Sequence, residues 1–224
     1  MKKIFHYALR ITHYALLSAA VIFFASTARA EELPFVDNFI LWTEHRDELI
    51  DDYTQRHYGM LCREIVPRAV VVHWTAFGTL ESVWRYFYAE EMPDDEGRLN
   101  VASQFIVDRD GTTWRLMPEN KFARHIIGYN HCAIGIENVG GYNGREDLTE
   151  AQLAANIRLI RWLHAKYPTI EYVFGHYQQD AARASGLHIE LVPDYYAAKP
   201  DPGKIFMRGL REELEGDGLT FFDD

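Results

Sequence analysis

The chain has 224 residues and a formal net charge of −10, from 33 acidic and 23 basic residues. This excess of acid excludes a nucleic-acid binder that works by neutralising phosphates, and it predicts no general attraction to anionic lipids or polymers. The length is sufficient for one domain with a substantial core.

The first 30 residues have the layout of a cleavable secretory signal. Positive charge at Met1-Lys2-Lys3 precedes an apolar run that is clearest over residues 15–25, and Ala28-Arg29-Ala30 has the A-x-A pattern of a cleavage site. A transmembrane anchor is the alternative, but the run is short for a bilayer and no second long run follows. We expect cleavage after Ala30, a periplasmic or secreted protein, and no membrane span after cleavage. Because residues 1–30 hold four basic residues and no acidic residue, the remainder has a net charge of −14.

Residues 31–66 are predicted to form an N-terminal helical extension. Within it, Leu49, Ile50 and Tyr53 recur at helical spacing among the charged residues of Glu44–Arg56. This pattern predicts an amphipathic helix that packs onto the main domain.

Strands and helices alternate through the rest of the chain. Short apolar or β-branched runs predict strands at 68–74, 101–107, 112–117, 133–137 and 172–174. The second and third of these strands are joined by Asp108-Arg109-Asp110-Gly111 and predict a hairpin, and residues 92–97 predict a loop. Helices are expected at 80–91, after the N-cap Thr79, and from the capping box Thr149-Glu150-Ala151-Gln152 to Tyr167. We expect a single α/β domain with a mixed central β-sheet flanked by helices, and an acidic C-terminal tail at 211–224 in which Phe221-Phe222 could dock.

The two cysteines, Cys62 and Cys132, leave two alternatives open. In an oxidising compartment they could form a disulfide, and two separate buried thiols fit the sequence equally well. Two cysteines without CxxC spacing do not predict a zinc site.

Two histidines and two carboxylates stand where apolar strands end or where a loop is stiff. His73 and His176 each follow an apolar strand, so two neighbouring strand ends could bind one metal ion, although each could be a structural histidine. Asp201 lies between two prolines that restrict its backbone, although Asp-Pro-Gly is also ordinary turn chemistry. Glu137 ends an apolar strand, where a buried carboxylate is costly unless it has a role, although it could reach solvent.

Together these residue types are typical of a zinc hydrolase site. Two neutral imidazoles and one carboxylate form a suitable zinc set with an open position for water. A carboxylate outside the metal shell is needed to move the proton, and Glu137 fits that role. Lys199, close to Asp201 in the chain, could stabilise the oxyanion of the intermediate.

In this order, the segments resemble the zinc-dependent N-acetylmuramoyl-L-alanine amidases of the type-2 amidase family. That family shares its fold with peptidoglycan-recognition proteins and a phage T7-type lysozyme. The resemblance runs from about residue 68 to residue 206 through VVVHWTA, SQFIVDRDGTTWRL, the loop containing Arg124-His125, AIGIENVG, TEAQL, VFGH and KPDPGKIF. It implies a zinc amidase domain over 67–210 that cuts the amide between N-acetylmuramic acid and L-alanine in peptidoglycan or muropeptides.

The resemblance also implies roles for single residues. His73, His176 and Asp201 match the zinc ligands, and Glu137 and Lys199 match the catalytic glutamate and lysine. An aspartate as third ligand, where recognition proteins and the phage enzyme use cysteine, is similar to the bacterial periplasmic branch.

The resemblance includes one further histidine and leaves one long segment unmatched. His125 matches a stretch near the substrate, which implies a substrate contact, with a structural role as the alternative. The segment 177–200 is longer than in compact members, and we expect it to border the cleft through Tyr195-Tyr196. It also contains His188, a rival metal ligand.

Two other functions fit the same residues. A non-catalytic module that recognises muropeptides would have this fold, but such a binder needs neither the complete ligand set nor Glu137. A zinc hydrolase that cuts another amide, such as a bond within the stem peptide, is also possible because of the long segment 177–200.

Overall fold

A computed structural model of the protein describes residues 35–223, and the predicted signal segment 1–30 lies outside them. All described residues belong to one compact unit. Within this part of the chain, no helix is long and apolar enough to cross a membrane.

The described residues contain eight strands and four α-helices. The strands are β1 (Phe35–Asp37), β2 (Ala69–Trp74), β3 (Glu91–Met92), β4 (Asp95–Leu99), β5 (Phe105–Val107), β6 (Thr113–Arg115), β7 (Ala133–Asn138) and β8 (Tyr172–Gly175). The helices are α1 (Glu44–Tyr58), α2 (Leu80–Tyr88), α3 (Glu150–Lys166) and α4 (Lys204–Leu214).

Six of these strands form a mixed sheet in the order β1-β6-β5-β7-β2-β8. Only β5 and β6 run antiparallel to each other, and the other neighbours are parallel. The predicted mixed α/β fold and the β5–β6 hairpin are therefore confirmed. The prediction of a loop at 92–97 is wrong, because β3 and β4 pair there as a small separate sheet. The Glu91 side chain accepts a hydrogen bond from the Gly97 amide within this sheet.

Strand β2 lies between β7 and β8 in the sheet, and all six of its side chains are buried. Val70 and Val72 pack in the core formed by α3 and α4, whereas Val71 points to the opposite face. Side chains alternate along a strand, so His73 lies on the same face as Val71, away from α3 and α4. The strand alternation thus decides on which side of the sheet the site is built.

Helix α3 begins at the predicted capping box. The Thr149 hydroxyl accepts from the Gln152 amide, and the Gln152 side chain accepts from the Thr149 amide. The buried Gln152 side-chain amide also donates to the carbonyls of Val107, the last residue of β5, and Val139, which follows β7. The cap therefore fixes the helix to the sheet as well as starting it.

The regions on either side of the predicted amidase domain both contact the main sheet. Residues 31–66 are not purely helical, because β1 adds an edge strand parallel to β6 before α1 begins. Within the predicted tail 211–224, α4 continues to Leu214, and Phe222 docks as the sequence suggested, stacking on Tyr172 with ring centroids 5.6 Å apart. Both ends of the described chain thus complete the main fold.

Candidate metal centre and cleft

Three parallel strands bring candidate residues to one edge of the sheet. His73 on β2 pairs in register with Glu137 on β7, and Val72 pairs with Gly175, which directly precedes His176. Asp201 arrives from the loop before α4, where its carbonyl accepts from the Tyr177 amide at 2.9 Å. Gly175 permits this approach, because a Cβ there would lie 2.7 Å from Cδ of Pro202.

Three potential metal-ligand atoms converge at this edge. Nδ1 of His73 lies 3.0 Å from Nδ1 of His176 and 3.0 Å from Oδ2 of Asp201, and Nδ1 of His176 lies 3.2 Å from the same oxygen. All three residues are buried, and their ligand atoms lie within 4.8 Å of one another. The structure therefore brings together the three residues that the sequence suggested as ligands.

A chain of hydrogen bonds assigns the tautomer of His73. The Ala133 carbonyl can only accept, so His125 must donate to it through Nε2, across 3.2 Å. A neutral His125 then accepts through Nδ1 from Nε2 of His73, at 3.0 Å. Nδ1 of His73 is consequently left without a proton and faces the other two ligand atoms.

The charge states of these groups fit a metal ion. Burial lowers the pKa of His73 to about 4, and burial holds the pKa of His125 well below its usual value, so both imidazoles are neutral at pH 7. The carboxylate of Asp201, the remaining candidate ligand, faces Nδ1 of both His73 and His176. An unprotonated nitrogen and an ionised carboxylate 3.0 Å apart repel each other unless a cation lies between them. The donor set therefore fits a cation such as zinc, which favours neutral imidazole and carboxylate ligands.

Glu137 lies beside this cluster with an unsatisfied oxygen. Its Oε2 is buried and has no hydrogen-bond partner among the described residues. Burial and the nearby charge of Asp201 raise the pKa of Glu137 well above its ordinary value, and Lys199 opposes this shift. A buried carboxylate oxygen without a partner is costly, so its position indicates a role toward a bound group.

The cluster opens into a cleft of about 430 Å³. All five predicted metal and catalytic residues line it: His73, Glu137, His176, Lys199 and Asp201. Apolar and aromatic side chains form much of the remaining wall, namely Trp74, Phe77, Val83, Tyr86, Phe87 and Val101. Lys199 is exposed at the rim, where its cation can reach a bound substrate.

Comparison with known proteins decides the family. The Amidase_2 family, N-acetylmuramoyl-L-alanine amidase, matches residues 63–204, which is more than half of the chain. The chain belongs to this family.

Individual relatives agree with this assignment. The endolysin of Escherichia phage T7 is 36% identical over 77 residues, which cover 33% of this chain and 51% of the endolysin. The chain therefore spans about half the length of the curated relatives it matches. Among solved structures, the endolysin amidase LysCS from Clostridium intestinale URNW has a TM-score of 0.53 at 21% identity and covers 80% of this chain and 95% of its own. AmpD, solved as a selenomethionine derivative, has a TM-score of 0.50 at 20% identity and covers 81% and 96%. The two structures support the fold.

The structure shows the surroundings of two further histidines of this amidase-family chain. His125 bonds to His73 and to a backbone carbonyl and also lines the cleft, so its contact with substrate stays a prediction. His188 is not part of the metal-ligand cluster in the described residues: its ring packs over Gly128 and lies 5.2 Å from the ring of Tyr129.

Both cysteines are free thiols. Sγ of Cys62 contacts the carbonyls of Glu64 and His131, and Sγ of Cys132 contacts the carbonyl of Tyr129. Burial raises the pKa of Cys132 to about 12, which makes it unreactive as a nucleophile.

A second cavity of about 280 Å³ adjoins the cleft, and sequence reasoning had only partly anticipated it. Tyr195 and Tyr196 line it, as expected of the long segment 177–200. Arg98 on β4 and Tyr53 on α1 also line it, although the sequence had marked Tyr53 only as part of a helix and had not marked Arg98. No local pattern marks them, because their shared position depends on contacts between distant parts of the chain.

Proposed function

We propose that the protein hydrolyses the amide bond between N-acetylmuramic acid and L-alanine in peptidoglycan or muropeptides. Its zinc ion would be held by His73, His176 and Asp201. The observation that carries the proposal is the convergence of three buried ligand atoms beside the unpartnered Oε2 of Glu137, in the lining of an open cleft. Family membership supplies the substrate class.

Zinc, when bound, supplies Lewis-acid chemistry by polarising the scissile carbonyl and lowering the pKa of a neighbouring water. Glu137 then acts as the general base that takes a proton from the attacking water, since its free oxygen faces no competing donor. The same carboxyl group returns the proton to the leaving nitrogen of L-alanine. The C–N bond breaks, and the products are a lactyl carboxylate on the glycan and a free peptide amine.

Lys199 stabilises negative charge that develops on the carbonyl oxygen. It lies at the cleft rim, and its positive charge acts on both Glu137 and His73. A cation placed at the developing oxyanion lowers the barrier more than it stabilises the neutral amide. His125 has a positioning role, because it holds His73 in the tautomer that leaves Nδ1 available.

The recognition module is the weaker alternative. A binder without turnover gains nothing from burying a carboxylate oxygen without a partner, and that burial costs stability.

The proposed setting is the periplasm or the cell exterior. It is supported by the signal pattern of residues 1–30, upstream of an extension at 31–66 and an amidase domain at 67–210. We therefore propose cell-wall peptidoglycan or its soluble fragments as the substrate. 

The test is product analysis by mass spectrometry after the zinc-loaded protein is incubated with purified peptidoglycan and muropeptides. We expect free stem peptides that begin with L-alanine, beside peptide-free glycan. Chelation should abolish their release, and added zinc should restore it. Bound zinc and bound muropeptide with no released peptide would instead support the recognition module, and cleavage at another amide would support a different hydrolase.

Glu137→Ala separates catalysis from metal binding. The variant should lose at least about 100-fold in kcat, because a positioned general base contributes about that much or more, yet it should retain zinc. Zinc content by inductively coupled plasma mass spectrometry, measured beside the rate, checks both parts. Near-normal turnover would remove Glu137 from the mechanism.

A further inference from the structure

The second cavity is positively charged in a protein that is strongly acidic overall. Three basic side chains line it, those of Arg98, Arg124 and Lys199, and no aspartate or glutamate is among its lining residues. Across the whole chain, acidic residues outnumber basic residues by 33 to 23. A cavity lined by one sign of charge concentrates ions of the opposite sign, so this one favours an anion.

Arg124 is the central cation of this cavity. Its guanidinium is half-buried and donates to the Leu99 carbonyl and to the Tyr195 hydroxyl, the latter at 3.1 Å, and it lies 5.4 Å from the Tyr53 ring. No carboxylate of the described residues forms an ion pair with it. A half-buried arginine normally pairs with an acidic group. Because Arg124 has no such pair, its guanidinium can form one with an anionic ligand.

Arg98 approaches the same hydroxyl from the other side. Its Nη1 is paired with Asp95 at 2.9 Å, whereas its Nη2 donates to the Tyr195 hydroxyl at 3.3 Å. Two guanidinium groups therefore meet at one phenol. Burial alone would raise the pKa of Tyr195, but Arg124 and Arg98 lower it overall, which reflects the positive potential at this point.

Tyr195 is held in place by α1. Its ring lies 4.4 Å from the ring of His57, and Nδ1 of His57 contacts the Glu190 carboxylate at 2.9 Å. The Leu191 amide also donates to the His57 carbonyl at 2.9 Å. The segment that carries Tyr195 is thus fixed at two points, and the arginine pair does not depend on a freely moving loop.

The cavity and the catalytic cleft share lining residues. Val101, Arg124, His125, His176 and Lys199 line both. A substrate whose scissile amide lies at the metal centre can therefore extend one of its arms into the second cavity. The stem peptide is the arm that carries carboxylate groups, and the guanidinium fork matches a carboxylate in two hydrogen bonds.

We propose that Arg124, Arg98 and the Tyr195 hydroxyl form a subsite that binds one carboxylate of the stem peptide and orients that peptide in the cleft. The inference rests on the proposed amidase function and adds a specificity determinant to it. It predicts that the enzyme prefers substrates in which this carboxylate is free over those in which it is a carboxamide.

The test uses N-acetylmuramoyl tripeptides in which each free carboxylate is replaced, in turn, by a carboxamide. For the zinc-loaded wild-type protein, one such replacement should lower kcat/KM by about tenfold or more, as expected for loss of a charge-assisted bidentate bond. Arg124→Gln should lower kcat/KM for the parent tripeptide by a similar factor and should no longer distinguish the two substrates. Arg158→Gln, which removes one charge from an exposed position on α3, serves as the matched control and should behave like wild type.

Binding of the same tripeptides to the zinc-free protein, measured by calorimetry, makes the inference testable without turnover. The subsite is supported if wild type binds the free-carboxylate tripeptide more tightly than the carboxamide tripeptide and Arg124→Gln binds both equally. This holds even if no tripeptide is cleaved and the amidase proposal fails. Cleavage of all tripeptides with equal kcat/KM, or discrimination that persists in Arg124→Gln, overturns the subsite and leaves the amidase proposal intact. Circular dichroism of each variant excludes misfolding as the cause of a loss.

Discussion

Gly135→Ala should damage the metal centre without changing any ligand. An ideal Cβ at residue 135 lies 2.8 Å from Cγ and 2.9 Å from Nδ1 of the His125 ring, closer than real Cβ contacts occur. Ordinary contact begins near 3.4 Å, so the ring must withdraw by about 0.5 Å or more. This movement stretches the 3.0 Å bond from His73 and the 3.2 Å bond to the Ala133 carbonyl.

The expected magnitudes follow from the bonds that are lost. Strain from the added methyl group in a packed site should lower the free energy of unfolding by about 1–3 kcal/mol in the zinc-free protein. Loss of the hydrogen bond that fixes the His73 tautomer should weaken zinc binding by about 10- to 100-fold, which is the usual effect of removing an orienting partner of a metal ligand. Urea unfolding measures the first quantity, and competition with a chromophoric chelator measures the second.

A double-mutant cycle isolates the cause. His125→Ala should by itself weaken zinc binding by a similar factor, and adding Gly135→Ala to that variant should cost little more, because the clashing ring is gone. Gly216→Ala is the matched control, since a Cβ there has no heavy atom within 4 Å. Equal additional losses from Gly135→Ala with and without the His125 ring would refute this reasoning, as would unchanged zinc affinity in the single variant.

Two further predictions concern stability. Glu119 is buried between Arg115 and Lys166, at 2.9 Å from each, and burial, which raises its pKa, is outweighed by these cations, so the pKa is lowered overall. The stabilisation from Glu119 is therefore fully present above about pH 4.5 and is lost as the pH falls through the lower pKa of the folded state. Glu119→Gln should lower the free energy of unfolding by about 1–2 kcal/mol at pH 7. Urea unfolding at pH 7 and pH 3.5 should show that the difference in free energy of unfolding between variant and wild type becomes smaller in acid. Phe222→Ala removes the ring that stacks on Tyr172 and should cost about 1–2 kcal/mol, measured by thermal unfolding; an unchanged Tm would show that the C-terminal residues do not stabilise the sheet edge.

The sequence by itself predicted the elements that depend on local patterns. The buried β-branched run of β2 and the capping box at Thr149 are recognisable because strand alternation and helix caps involve residues close in the chain. His73, Glu137 and His176 could be proposed as neighbours since the carboxyl ends of parallel strands meet at one edge of a sheet. The convergence of the three ligand atoms at this edge follows from that rule together with the stiff loop around Asp201.

Other features were decided only by the tertiary structure. Arg98 and Arg124 meet the Tyr195 hydroxyl from 97 and 71 positions away in the chain, and no periodicity or motif links the three residues. The short strand β1 exists because it pairs with β6, and three residues have too little pattern of their own to predict it. The sequence suggested a substrate contact for His125 but not its hydrogen bond with His73. That bond depends on the His125 ring packing against Gly135, which only the folded structure shows. Local patterns therefore sufficed for residues that one strand or helix positions, whereas side chains positioned by packing between distant segments required the folded structure.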